Sequence, residues 1–220
     1  MNSVQTLSIY SEQDSQTSKI SAYYRFHAKI YDWTRWTFLF GRQDVLDWLP
    51  FTLRDRPSIV EVGCGTGHNL KNIAERFPKA RLMGIDLSSE MLDIADRKLK
   101  EVPNLVILRQ KNYGSEKVNF HQIPDCVLFS YCLTMVNPDW EKLILQAKND
   151  LQPDGVIAVV DFHASPKRWF QRWMGVNHVR MEAHLLPYLQ AHFATVRLEK
   201  RRVYFGLWSY FIFIGKISKK

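Results

Sequence analysis

The chain has 220 residues, 46% hydrophobic and 24% charged, with 30 Lys plus Arg against 22 Asp plus Glu and a formal net charge of +8. That balance fits one large domain, alone or with an arm, and excludes a wholly disordered chain and a repeat solenoid. The basic excess favours nucleic acid, an anionic membrane face or an acidic substrate, without choosing among them.

Residues 1–18 are rich in Ser, Gln, Thr and Asn and read as a mobile arm. They lack the basic-then-apolar pattern of a signal peptide, so the expected location is cytoplasmic. From Lys19 the pattern changes. Tyr23, Phe26, Ile30 and Trp33 recur at helical spacing, followed by Trp36, Phe38, Leu39 and Phe40, with Gly41 as a stop. Val45, Leu46, Trp48 and Leu49 suggest a further helix ended by Pro50, so residues 19–56 read as a helical lid or substrate segment.

Residues 57–220 read as the core domain, in which strand and helix periods alternate. Strands are predicted at 58–62, 81–86, 105–109, 125–130 and 156–162. Helices are predicted at about 69–76, after a Ser88 cap, and at 140–151. The order implies an α/β fold with a parallel sheet covered on both faces. Residues 194–204 and 207–217 are adjacent strands with no helix between them, predicting a terminal antiparallel hairpin. The apolar stretch 203–215 is too short to cross a bilayer, which takes about 20 residues. Cys64, Cys126 and Cys132 are odd in number and lack CxxC spacing, so neither a disulfide framework nor a metal site is expected.

The strongest motif is Glu61-Val62-Gly63-Cys64-Gly65-Thr66-Gly67-His68-Asn69, which leaves one strand and enters a helix. Glycines there let the backbone approach a ligand. The spacing is GxGxG, which meets neither the dinucleotide fingerprint nor the phosphate-cradling loop. Asp86 ends the next strand, where its carboxylate suits the two ribose hydroxyls of an adenosine cofactor.

These residues resemble the class I S-adenosylmethionine-dependent methyltransferases, whose motifs look like EVGCGTGHN, GIDLSSEML and LQPDGVIAVVDF in this chain. The resemblance covers roughly residues 57–162. It implies a Rossmann-like, seven-stranded, mostly parallel sheet, with S-adenosyl-L-methionine as cofactor. It also implies cofactor contacts from Tyr31, Glu61, Gly63, Cys64, Gly65, Gly67, Asp86, Leu87, Met91, Asn112, Tyr113, Ser130 and Tyr131. One departure follows the third strand, where the family often carries an acidic residue for the adenine amine and this chain reads Gln110-Lys111-Asn112-Tyr113. Asn112 offers an amide oxygen instead.

Methyl transfer from a sulfonium is an in-line displacement needing no metal, so positioning of the acceptor lone pair dominates. The residues after strand four, Ser130-Tyr131-Cys132-Leu133, are unlike the NPPY-type run that grips planar base amines, so nucleic acid is not an expected partner. Residues 23–42 and 168–181 resemble the N-methyltransferase of betaine lipid synthesis, a cousin of phosphatidylethanolamine N-methyltransferases. That resemblance implies trimethylation of the amine of diacylglycerylhomoserine. A phosphatidylethanolamine, a soluble metabolite or a quinone are the alternative acceptors, and a non-enzymatic nucleic-acid binder is the competing class.

The chemistry is compatible with an amine. Aromatic faces hold quaternary ammonium products, and Tyr24, Tyr31, Trp33, Trp36, Tyr131 and Trp173 are available. Neutralising an alkyl amine of pKa ~10 at pH 7 costs roughly 4 kcal/mol, so a proton acceptor helps. His163 ranks first because ligands sit at the carboxyl ends of strands; His27, Tyr31 and His178 follow, and His68 and His192 read as structural. Tyr24, Trp36, Arg42, Arg172, Trp173, Asn177, His178 and Arg180 are the substrate-binding candidates. The segment 167–180 reads either as an ordinary solvated helix or as a lid on an anionic, inner membrane face, with its basic residues at head groups and Trp169, Phe170 and Trp173 in the interface.

Overall fold

A strand buried at every residue must be covered on both faces, and Ser58–Val62 is such a strand. It is β1 in the computed structural model, which describes residues 38–217. The chain continues through α2 (His68–Arg76), β2 (Arg81–Asp86), α3 (Ser89–Leu99), β3 (Val106–Gln110), β4 (Cys126–Ser130), α4 (Trp140–Asp150) and β5 (Val156–Ala164). It then forms α5 (Arg168–Val176), α6 (Leu185–His192), β6 (Phe193–Val203) and β7 (Trp208–Ile217), while α1 (Arg42–Asp47) precedes β1. The sheet order is β3-β2-β1-β4-β5-β7-β6, parallel from β3 to β5, with β7 antiparallel to β5 and β6 antiparallel to β7. The expected α/β sheet with a terminal hairpin is therefore the observed one.

Helix periodicity explains the covering layers. On α4, Trp140, Leu143, Ile144 and Ala147 are buried at one-face spacing, and on α3 Met91, Leu92, Ala95 and Leu99 are. Each fully buried Leu or Ile contributes about 1.5–3 kcal/mol over its exposed form. Ser88 caps α3 as the sequence predicts, its Oγ accepting from Met91 N at 3.1 Å.

Several boundaries differ from the sequence reading. Residues 39 onward cluster with the sheet in one compact unit. Val45 and Leu46 of α1 are wholly buried, and Arg201 pairs with Asp44 at 2.9 Å while the Arg197 guanidinium lies 3.8 Å over the Trp48 ring. No element is predicted where α6 stands, although Pro187 lies within its first turn. Pro is tolerated in a first helical turn, where its missing N–H has no partner to lose. The hairpin strand ends at Val203 rather than Tyr204, since Tyr204, Phe205 and Gly206 all have left-handed φ values of 50°, 54° and 86°.

Candidate functional site

In an open α/β sheet the ligand crevice opens where the strand order reverses. Here β1 to β3 step one way and β4 to β5 the other, so the reversal lies between β1 and β4. The turn after β1 meets the turn after β4 at that point. A Cβ built on Gly63 would lie 2.6 Å from Cys132 Sγ, and Gly63 has φ +70°, so both space and backbone demand glycine.

Four amides of the glycine turn are already engaged within the protein. Gly63 N and Cys64 N donate to Ile85 O at 2.8 and 3.1 Å, Gly65 N to Asp86 Oδ2 at 2.8 Å, and Gly67 N to Cys64 O at 3.0 Å. A phosphate cradle needs such N–H groups pointing at the ligand; three of these stitch the turn to β2 instead, and the fourth closes the turn on itself. The turn therefore suits a cofactor without phosphates, and S-adenosylmethionine is one. Asp86 also accepts from Ser88 N at 3.0 Å, which fixes its carboxylate at the end of β2. Glu61, buried within β1, accepts from Asn69 Nδ2 of α2 at 2.6 Å, joining strand and helix across the turn. Ser130 ends β4 with a buried Oγ that has no hydrogen-bond partner, an unfilled polar position at the crevice.

Burial, then Asp86 and Glu61, raises the Cys64 thiol well above its ordinary range; burial and Asp161 do the same for Cys132. Neither is a thiolate nucleophile. Tyr131 has φ +54°, donates its hydroxyl to Phe40 O at 2.7 Å and packs its ring 4.7 Å from that of Phe162. Its phenol is raised by burial first, with Asp161 and Tyr210 adding and Arg42 opposing, which brings Arg42 of α1 to the same corner.

The sequence reading passes over Asp161. It is wholly buried in β5, and its carboxylate accepts from Leu133 N (2.9 Å), Thr134 N (3.3 Å), Thr134 Oγ1 (2.5 Å) and Phe162 N (2.8 Å). It thereby holds the turn that follows Tyr131. An acidic residue interrupting the apolar run Val156 to Phe162 was the available signal, since a buried charge needs donors.

His163 sits at a register shift. Phe162 pairs with Tyr210 and Ala164 with Ser209, leaving His163 as the extra residue of a β-bulge at the carboxyl end of β5. It is half-buried, its Nδ1 has no partner, and its ring lies 5.9 Å from that of Phe211. Burial and then Lys200 lower its pKa, so the imidazole is neutral at pH 7 and free to accept a proton.

The remaining candidates divide. Met91 is buried at the α3 cap, Leu87 is exposed beyond β2, and exposed Asn112 donates its backbone N–H to Glu116. Tyr113 goes elsewhere: it is 3% exposed in the core beside Phe129 and donates its hydroxyl to Asp150 of α4 at 2.7 Å. Arg172 and Trp173 lie exposed on α5, with Asn177, His178 and Arg180 in the following loop. That loop is tied to the turn after β4, because Arg180 N donates to Thr134 O at 3.0 Å. Phe170 corrects an expectation: it is 3% exposed and faces the core, not an interface. Tyr24, His27, Tyr31, Trp33 and Trp36 lie outside the described residues.

A family model described as a methyltransferase domain matches residues 35–201. Two curated relatives are trans-aconitate 2-methyltransferases, one from Azoarcus sp. strain BH72, 29% identical over 53% of this chain and 43% of that protein. The other, from Deinococcus radiodurans, is 33% identical over 48% of this chain and 38% of that protein. The matched segment thus spans less than half the length of each. Among solved structures, the N-methyltransferase NodS of Bradyrhizobium japonicum, in complex with S-adenosyl-L-homocysteine, has a TM-score of 0.64 at 15% identity, over 82% of this chain and 88% of that one. The Burkholderia thailandensis 1,6-didemethyltoxoflavin-N1-methyltransferase has a TM-score of 0.65 at 16% identity, over 99% and 94%.

Proposed function

The chain belongs to the methyltransferase-domain family, as a class I S-adenosylmethionine-dependent enzyme, and from that premise we propose that it methylates an amine of a lipid head group in successive steps. The acceptor is diacylglycerylhomoserine, and the product its trimethylated betaine lipid. One observation carries the amine assignment: His163 stands at a bulge at the carboxyl edge of β5, half-buried, with burial and Lys200 lowering its pKa so that its imidazole is neutral at pH 7. An oxygen acid already ionised at pH 7 has no need of such a base, whereas a protonated alkyl amine does.

Asp86 would hold the cofactor ribose, with Glu61, the glycine turn, Asn112 and Ser130 around the rest. Bound S-adenosylmethionine supplies a methyl group on a positively charged sulfur, open to displacement. The protein's own part is to remove water, align the amine lone pair and take its proton at His163. Arg42 and Arg180 suit the homoserine carboxylate, and aromatic ring faces suit the growing ammonium. Peripheral contact with an anionic membrane on the cytoplasmic side belongs to the same reading. Among the described residues no helix is long and apolar enough to cross a membrane.

The test is transfer from labelled S-adenosylmethionine to a panel of diacylglycerylhomoserine, phosphatidylethanolamine and trans-aconitate, with product masses resolved. Three methyls on the homoserine lipid establish the reading. Labelling of trans-aconitate alone replaces it with methylation of trans-aconitate, the activity for which the two curated relatives are named.

A further inference from the structure

On α5, Phe170 and Met174 face the core, while Trp169, Trp173 and Val176 recur at helical spacing on another face and are 63%, 49% and 79% exposed. Exposed Arg168 and Arg172, four residues apart, run beside that apolar stripe. Three faces result: buried apolar, exposed apolar and basic. A solvated helix has no use for the second, and isolated exposed aromatics need no explanation, but an ordered stripe does.

The basic residues are also badly placed for the helix itself. Lys167 is its N-cap residue and Arg168 opens its first turn, which contains no acidic residue. Positive charge at a helix N-terminus opposes the macrodipole, so these cations answer to something outside the helix.

A second, independent feature adjoins α5. The turn from β6 to β7 holds Tyr204 and Phe205 in left-handed backbone, a costly state for aromatic residues, and leaves Phe205 fully exposed. Arg202 is exposed at the base of this turn, its Cδ near Gly206. Ser165 fastens turn and helix together: its Oγ donates to Leu207 O at 2.6 Å and accepts from Lys167 N at 3.1 Å. Gln171 of α5 donates to Ser165 O at 2.7 Å. Both features lie past the carboxyl end of β5, the edge that carries His163.

We propose that the exposed stripe of α5 and the Phe205 turn together form a docking surface for an anionic bilayer, presenting the crevice to the membrane. Indole and phenyl rings enter the interface while Lys167, Arg168, Arg172 and Arg202 meet the head groups. Charge complementarity selects this occupant, since the described α5 carries no acidic side chain. The proposal rests on the lipid-substrate reading, and binding and turnover are measured separately so that each stands or falls by itself.

The experiment is sedimentation of the full chain with phosphatidylcholine vesicles, with and without phosphatidylglycerol. The wild type is expected to bind the anionic vesicles far better, with the difference collapsing at high salt. Arg168→Gln should weaken binding to anionic vesicles by about fivefold and leave neutral ones unchanged. Phe205→Ser and Trp169→Ser should each weaken binding about tenfold, with S-adenosylhomocysteine affinity kept as the sign of a folded chain. A wild type indifferent to phosphatidylglycerol, or Phe205→Ser and Trp169→Ser variants that bind as the wild type does, overturns the docking surface. If detergent-dispersed homoserine lipid is methylated but vesicles are ignored, docking fails and the substrate reading stands. Vesicle binding that depends on these residues, without methylation of any lipid, leaves docking standing and removes the substrate.

Discussion

Thr134 donates its hydroxyl to Asp161 Oδ1 at 2.5 Å, which hangs the turn after β4 on a carboxylate buried in β5. The same turn carries Cys132 against Gly63 on one side and receives Arg180 N on the other. The glycine turn after β1 and the loop of Arg180 therefore meet at one anchored turn.

Burial pushes the Asp161 carboxyl up to about 6, against the opposing pull of its four donors. The folded chain thus holds the proton more tightly than the unfolded chain, in which the group titrates near 3.8. Its contribution to stability is full below about pH 4 and declines on the order of 3 kcal/mol as pH rises through about 6. Asp161→Asn stays neutral throughout, but its amide leaves a buried N–H of the turn unmatched, at a cost of about 1–3 kcal/mol. Melting of wild type and variant across this range should show the wild type losing ground as pH rises. A constant gap between them contradicts the assignment.

Gly63→Ala combines a left-handed φ with a contact to Cys132 Sγ at 2.6 Å. The backbone alone costs roughly 1–2 kcal/mol, and the turn must shift from β4. Calorimetry should show loss of S-adenosylhomocysteine binding together with a lower melting temperature. Adding Cys132→Ala should restore part of the stability, because it clears the contact but leaves the φ cost. Equal melting of the single and double variants would mean that the two turns do not touch.

The elements that the sequence reveals are those whose signal is local. β1 and β2 are short, mostly apolar runs that end at glycine or Asp, and Ser88 announces its own cap. Asp161 is hidden because its role is defined by donors 27 and 28 residues away, at Thr134 and Leu133. The His163 bulge is a misregister between two strands, which only pairing exposes. The family resemblance led to Tyr113 as a cofactor contact, and its position in sequence gives no sign that its hydroxyl is committed to Asp150, 37 residues on.

Tyr113→Phe tests that commitment. It removes a hydrogen bond to a carboxylate raised by burial and leaves Gln146 Nε2 as its remaining described donor. Stability should fall by roughly 1–2 kcal/mol, while cofactor affinity stays at the wild-type value. A tenfold loss of S-adenosylhomocysteine affinity without loss of stability would return Tyr113 to the cofactor site.

Asp86→Ala removes the acceptor for Gly65 N and Ser88 N as well as the expected partner of the ribose hydroxyls. Charge-assisted hydrogen bonds contribute about 1.5–3 kcal/mol, so affinity should fall roughly 10–100-fold. Asp86→Asn keeps one oxygen and should fall between. An analogue of the cofactor lacking one ribose hydroxyl separates the two roles: it should bind more weakly to wild type and lose nothing further in the Ala variant.

His163 is the residue on which the amine assignment depends. His163→Gln preserves size and polarity but cannot accept a proton, so cofactor binding should persist while turnover falls 10²-fold or more, within the usual range for a lost general base, ~10²–10⁴. Because burial and Lys200 lower its pKa, the acidic limb of the wild-type kcat profile should lie below the range of an ordinary histidine. The acceptor amine titrates on the opposite side, with its protonated form dominant below pH ~10, so kcat/KM should rise with pH across the neutral range even where His163 is already neutral. A wild-type profile showing the acidic limb, absent from the Gln variant, assigns that limb to His163. Unchanged turnover in the variant removes the residue from the reaction and with it the reason to prefer an amine over an ionised oxygen acceptor.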